Sequence, residues 1–214
     1  MRNPSLRLIF ILLGVCLAPA LGWTGENPFH YGFVAKISTG DTVVLVEDGA
    51  TLKSGTQFKV NLSYPAVASM YVLHLSPKQV YSLLYIPKDI KGSSSDNHFN
   101  TSGWQLLDDE VGDEVFYLIG SSARLIEFEH ALKRYTTSTG ERRARFRQRI
   151  DALVKRYSRT PPGTSTRLAQ RLDRPVLGTV VFRGAKGQQD LSRALTHQLS
   201  GSDVVAAKFV IKHR

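Results

Sequence analysis

Residues 70–86 read Met70-Tyr71-Val72-Leu73-His74-Leu75-Ser76-Pro77-Lys78-Gln79-Val80-Tyr81-Ser82-Leu83-Leu84-Tyr85-Ile86. Two β-rich runs flank four turn-forming residues, and Pro77 at the second turn position presets φ for the reversal. The stretch predicts an antiparallel hairpin, Met70–Leu75 against Val80–Ile86. Pro87 closes the second strand, because proline has no N–H to give to a ladder.

Working outward from the hairpin, the flanking sequence also reads as β. Gln57 to Ser63 alternates, with Phe58, Val60 and Leu62 on one face. Gly32 to Ile37 and Thr42 to Val46 are β-rich and joined through Ser38-Thr39-Gly40-Asp41, and Asp48-Gly49 is a turn signal. On the other side, Lys91 to Asn97, with Gly92-Ser93-Ser94-Ser95, reads as a polar loop. Trp104 to Leu107 reads as a short strand and Glu114 to Ile119 as a strong one.

After Gly120 the period changes from two to helical. Leu125, Phe128, Leu132 and Tyr135 form one stripe, with Ser121 or Ser122 as the expected N-cap. A break at Thr136 to Gly140 precedes a second helix, from about Glu141 to Tyr157. Its stripe is Phe146, Ile150, Leu153, Val154 and Tyr157. Its opposite face carries Arg142, Arg143, Arg145, Arg147, Arg149, Lys155 and Arg156. Thr160-Pro161-Pro162-Gly163-Thr164 stops it. Pro175 to Phe182 and Val204 to Ile211 return to strand character. Gln188 to Leu199 reads as a short helix, and Gly184-Ala185-Lys186-Gly187 as a hairpin turn.

These elements predict a mainly β protein with a helical insert, an α+β fold whose β-sandwich-like core holds two inserted helices. The insert spans about 122–158, and C-terminal strands within 175–214 rejoin the earlier sheets. Residues 23–214 read as a single domain, because Pro175 to Arg214 is too short to bury a core of its own.

The first 22 residues read as an export signal. Arg2 and Arg7 give a positive start, Leu8 to Leu17 an apolar run, and Ala18-Pro19-Ala20-Leu21-Gly22 a small-residue site for cleavage before Trp23. The run is about half the ~20 residues a spanning helix needs, so no transmembrane segment is expected after signal cleavage. Leu13-Gly14-Val15-Cys16 resembles a lipobox, but bulky Val15 precedes the cysteine where a small residue belongs. Cys16 is the single cysteine of the chain and would leave with the signal. A mature chain without disulfides, thiol nucleophile or thiolate metal site points to a bacterial protein, periplasmic or secreted. The sequons Asn61-Leu62-Ser63 and Asn100-Thr101-Ser102 matter only in a glycosylating host.

The net charge of +10 is uneven. From Arg124 to Arg174 twelve Arg and two Lys face five acidic residues, so the basicity belongs to the helical segment. A strip of exposed cations attracts phosphate-rich partners. Outside the cytoplasm these are anionic lipid, lipopolysaccharide or an acidic envelope protein, with nucleic acid disfavoured by location. The competing expectation is a solvated helix whose stripe packs on the sandwich.

The β segment resembles the bacterial family catalogued as domain of unknown function 4384. The matching residues run Leu52-Lys53-Ser54-Gly55-Thr56-Gln57-Phe58, Met70-Tyr71-Val72-Leu73, Leu84-Tyr85-Ile86-Pro87, Trp104-Gln105-Leu106-Leu107-Asp108 and Gly112-Asp113-Glu114-Val115-Phe116-Tyr117-Leu118-Ile119. Gly55-Thr56 stands where the family pattern has glycine followed by an acidic residue. The resemblance covers about 45–135. It implies a β-rich accessory module of an exported bacterial protein and carries over no catalytic residue.

Motifs for chemistry are absent. Asp108, Asp109, Glu110, Asp113 and Glu114 form an acidic cluster without EF-hand spacing. It is expected to be a solvated turn before a strand, or a partner for the arginine-rich helix. His30, His74, His98, His130, His197 and His213 show no zinc-ligand spacing, and each is expected to be a packed or surface histidine. Gly120-Ser121-Ser122-Ala123 is not a nucleophile elbow, and no phosphate-binding loop is present. No metal or cofactor is expected. The sequence therefore predicts a non-enzymatic accessory or binding module at the cell envelope, acting through its basic helix. The rival is an envelope hydrolase with a site between the β core and the helical insert.

Overall fold

The hairpin at residues 70–86 forms as its sequence predicts. The computed structural model describes residues 29–36, 42–66, 68–86, 97–159, 170–177, 180–181, 191–201 and 203–214. In chain order the strands are β1 (Phe29–Lys36), β2 (Val43–Val46), β3 (Thr51–Leu52), β4 (Gln57–Pro65), β5 (Ser69–Leu75), β6 (Tyr81–Tyr85), β7 (Asn97–Thr101), β8 (Gln105–Leu106) and β9 (Gly112–Ser121). Helices α1 (Ile126–Thr137) and α2 (Gly140–Tyr157) follow. Then come β10 (Gln170–Leu177), β11 (Val180–Val181), a 3-10 turn at Leu191–Arg193, β12 (Ala194–Leu199) and β13 (Val204–His213).

The strands form two sheets. The first runs β11-β10-β12-β1-β4-β7, with β2 also on β1 and β8 also on β4. The second runs β3-β13-β9-β5-β6. The hairpin is β5–β6, antiparallel, with His74 opposite Ser82 and Leu75 opposite Tyr81. Its turn closes through Gln79 N–H to the Ser76 carbonyl at 2.8 Å. Gln79 takes the left-handed conformation, φ 63°, that ends such turns.

Strict alternation along the second sheet decides the layering, because successive side chains point to opposite faces. Met70 and Val72 of β5, Phe116 and Leu118 of β9, and Phe209 and Ile211 of β13 point one way. They pack with Phe33, Phe58, Val60 and Leu62 of the first sheet in the sandwich core. Tyr71, Leu73 and Leu75, with Ile119 and Ala206, point the other way and pack on the helices. Both stripes read from the sequence meet this face: Phe128, Leu132 and Tyr135 from α1, and Ile150, Leu153, Val154 and Tyr157 from α2, are buried there. The protein is thus mainly β, a sandwich of two sheets with a pair of helices layered on the second sheet.

Three expectations need correction. The helix α1 does not begin at a serine cap. Strand β9 continues through Ser121, which pairs with both Ser69 and Val204. The Ser121 hydroxyl accepts the Ala123 N–H at 3.3 Å, inside the turn, and α1 starts five residues later. The short helix expected over Gln188–Leu199 is not formed across its described part. Only Leu191–Arg193 makes a 3-10 turn, and Ala194–Leu199 is a strand. Its amides meet an open ladder on β1, with Phe29 opposite Leu199, and burial of Ala194, Leu195 and Leu199 overrides local helical preference. Finally, Asn97, read as the last residue of the polar loop, instead begins β7, which pairs with β4 as an edge strand. Residues 1–22, the loop interior at 91–96 and the turn expected at 184–187 lie outside the described residues.

Strand β1 is the pivot of the first sheet. One edge pairs with β4 over most of its length; the other pairs with β12 over Phe29–Tyr31 and with β2 over Phe33–Lys36. Gly32 sits at the change of partner. A Cβ there would lie 2.3 Å from the Ala194 carbonyl oxygen, so only glycine allows the approach. Asn61, opposite Gly32 on β4, reaches across the space and donates to the Ser192 and Ala194 carbonyls, both at 3.1 Å. Asn61 is fully buried, so in this fold its sequon is not open to a glycosyltransferase. Asn61→Ala should lower the unfolding free energy in urea by about 1–3 kcal/mol, the cost of leaving buried carbonyls unpaired. The m-value should stay unchanged.

His197 of β12 stacks on Tyr31, with ring centroids 4.9 Å apart and planes 9° apart. Its Nδ1 bonds the Thr196 hydroxyl at 2.8 Å. Burial pushes the imidazole below its ordinary 6.5, Glu47 and Asp48 oppose that shift, and Arg171 adds to it. The folded chain therefore takes up this proton less readily than the unfolded chain. The contribution to stability is complete above pH 6.5 and is lost as the pH falls below it. Melting temperatures of the wild type and His197→Gln should differ in their fall between pH 7.5 and 5.5, with the smaller fall in the variant.

Candidate functional site

Helix α2 is built from strong helix formers, and Gly140, at φ 53°, makes the reversal that lets it fold back on α1. Because the apolar stripe faces the sheet, the cations are carried to the outside. They do not form a free row. Arg149 and Arg156 both pair with Glu127 of α1, Arg156 at 3.0 Å. Arg156, with Arg149 beside it, holds the Glu127 carboxyl below its ordinary value. Arg147 donates to the Gln79 side chain at 3.0 Å, which ties the helix to the hairpin turn. Arg143 lies over the Tyr135 ring at 4.6 Å, and Arg145 sits 3.7 Å from Glu141 one turn earlier. Arg142 and Lys155 are exposed and make no ion pair with a described residue. Lys133 and Arg134 of α1 and Arg159 after α2 are also exposed.

The underside of the helix layer is anchored by tyrosines. Tyr71 donates to Glu129 Oε1 and accepts the Leu125 N–H, each at 2.8 Å. Burial, with Glu129 beside it, pushes its hydroxyl up to about 12. Tyr81 donates to Asp151 Oδ1 at 2.5 Å, and its own N–H is received by the Tyr135 hydroxyl at 3.2 Å. Between these polar pairs Phe128, Ile150, Leu153 and Val154 are buried in the apolar cluster that joins sheet and helices.

A second polar assembly lies on the opposite, inner face of the second sheet. Glu114 is 4% exposed and His213 is fully buried. Glu114 Oε2 bonds His74 Nε2 at 2.6 Å, and Oε1 lies 3.3 Å from His213 Nδ1. The outer nitrogens go to serines: His74 Nδ1 to Ser82 Oγ at 3.1 Å and His213 Nε2 to Ser54 Oγ at 2.9 Å. Ser54–His213–Glu114–His74–Ser82 therefore crosses the sheet from edge to edge, and both serines are exposed. His74 stacks on Phe116, ring centroids 4.9 Å apart. A cleft of about 150 Å³ opens beside the row, walled by Phe58, Leu84 and Leu107 and floored by His74, Ser82 and Glu114.

This assembly revises the acidic cluster. Glu114 is neither solvated nor turned to the arginine helix; alternation along β9 points it into the sandwich beside two histidines. Glu110 pairs with Lys78 of the hairpin turn, and Asp108 Oδ1 accepts the Glu110 N–H at 2.8 Å in a local turn. Sequence reasoning missed the row because its members are far apart in the chain. The one signal within reach was the hairpin register, which sets His74 opposite Ser82. Among the described residues no group of three His, Cys, Asp or Glu is arranged to hold a metal ion.

No family model matches the chain, and no curated protein matches it. No described helix is long and apolar enough to cross a membrane.

The Tyr81–Asp151 bond couples α2 to β6. Tyr81→Phe should cost about 1–2 kcal/mol of stability. In an Asp151→Ala background the same change should cost less, a coupling that a double-mutant cycle in urea measures.

Proposed function

We propose that the chain is an exported bacterial envelope module, akin to the family of domain of unknown function 4384, that docks through the outer face of its helix pair onto a phosphate-bearing anionic surface. The observation that supports this is the division of α2. Its apolar stripe is used up against the sheet, while Arg142, Arg145 and Lys155 remain exposed. With no apolar face left to insert, the contact is peripheral and electrostatic, and salt weakens it. Lipid head groups and lipopolysaccharide share this phosphate chemistry. Arg149 and Arg156 hold the two helices together through Glu127, so they shape the face more than they offer charge.

Flotation with phosphatidylglycerol vesicles, with vesicles carrying lipopolysaccharide, and with neutral phosphatidylcholine vesicles tests the reading. The wild type should bind one or both anionic preparations and release as salt rises. The triple variant Arg142→Gln, Arg145→Gln, Lys155→Gln should keep its melting temperature. At about 1 kcal/mol per cation near such a surface, it should bind roughly 100-fold more weakly. Absence of salt-sensitive binding to either anionic preparation refutes the reading and leaves a solvated face.

A further inference from the structure

One half of the buried row has the order of groups that activates a nucleophile. Ser54 lies in the turn after β3, exposed, with Oγ 2.9 Å from His213 Nε2. The far nitrogen of the same ring, Nδ1, faces Glu114 Oε1 at 3.3 Å. A hydroxyl within reach of an imidazole, itself oriented by a third group, is the arrangement that acyl transfer uses on unrelated folds. The three residues come from three separate places on the chain, and the two behind the serine are held in place, because His213 is fully buried and the second Glu114 oxygen is fixed by His74 at 2.6 Å. The other half of the row differs. His74 turns Nε2 to the carboxylate and Nδ1 to Ser82.

We propose that Ser54 is a base-activated nucleophile that takes the acyl group of an activated carboxylic ester. In the acylation step Ser54 Oγ bonds the carbonyl carbon while its proton passes to His213 Nε2. Glu114, a positioning residue, faces the imidazolium that forms. The ester C–O bond breaks, and the leaving oxygen takes the proton from His213. Water then attacks the acyl-serine and gives a proton to His213, which returns it to Ser54 Oγ as the carboxylic acid departs.

The surroundings also set the rate. The Ser54 N–H is bonded to the Arg214 carbonyl, the Gly55 N–H to the Leu107 carbonyl and the Thr56 N–H to the Lys53 carbonyl. These amides are therefore committed and do not form an oxyanion hole, which elsewhere is worth about 10²–10³ in rate. Esters with good leaving groups are the expected class, with slow turnover. The row lies on the sheet face away from the helices, so this inference is independent of surface docking, and either can fail alone.

The test treats the full-length protein with a fluorophosphonate probe and, separately, with p-nitrophenyl acetate, and maps adducts by mass spectrometry. The expected result is one adduct, on Ser54, with either reagent. Ser54→Ala, at an exposed turn position, should abolish it, and Ser82→Ala should leave it unchanged. His213→Gln should slow labelling about 100-fold or more, the usual contribution of a general base. Glu114→Gln should keep the adduct on Ser54, slow it by up to about 10⁴-fold, the loss that follows when an orienting carboxylate becomes an amide, and alter the shape of its pH profile. Should His213→Gln fail to fold, Ser54→Cys serves instead: the thiol it introduces should react with iodoacetamide faster than free cysteine at neutral pH. An adduct elsewhere, no adduct, a rate indifferent to His213, or an unaccelerated thiol each overturns the proposal and leaves the row as packing.

Discussion

The second sheet is apolar on both faces, and most of the architecture follows from that. A strand such as Met70–Leu75, with Met70 and Val72 on one side and Tyr71, Leu73 and Leu75 on the other, has no solvated face to offer. It is stable only between two apolar layers. The first sheet covers one side and the helix pair covers the other, so the helical insert is a structural necessity of the sheet it follows. The C-terminal strands complete this arrangement, β12 filling the open half of the β1 edge and β13 joining β9 along its whole length.

Burying a sheet on both faces raises the cost of any polar group it carries. The structure answers that cost by pairing. Glu114 has an imidazole on each carboxylate oxygen, and each imidazole ends on a serine that reaches solvent. Tyr71 and Tyr81, on the helix side, meet carboxylates of α1 and α2. The same pairing fixes where the helices sit: Glu129 and Asp151 receive tyrosine hydroxyls from the sheet, while Glu127 gathers two arginines from the neighbouring helix. Of the arginine-rich face, part is mortar between elements and part, around Arg142 and Lys155, is left to the solvent.

Such a division separates two kinds of chemistry in space. Positive charge collects on the outer helix layer, whereas the histidine–carboxylate row occupies the inner face of the sheet, beyond the apolar helix–sheet boundary. A surface contact on the helices and a reaction at Ser54 would therefore place different demands on the chain, one on exposed charge and the other on the register of four strands.

By itself the sequence determined what depends on neighbours along the chain. The Pro77 hairpin, the alternation of Phe58, Val60 and Leu62, the two amphipathic stripes and the break near Gly140 all follow from local periods and turn chemistry, and so did the fold class. The tertiary structure alone decided which strand lies beside which. It made Ala194–Leu199 a strand because β1 had an open edge, and it carried β9 through Ser121, one of the two serines expected to cap α1. It also turned Glu114 from one acid of a surface cluster into the centre of a row with His74 and His213. The physical reason is that strand pairing joins residues at any separation. A ladder on β1 or a histidine 99 positions away from Glu114 leaves no periodic trace in the chain that contains it.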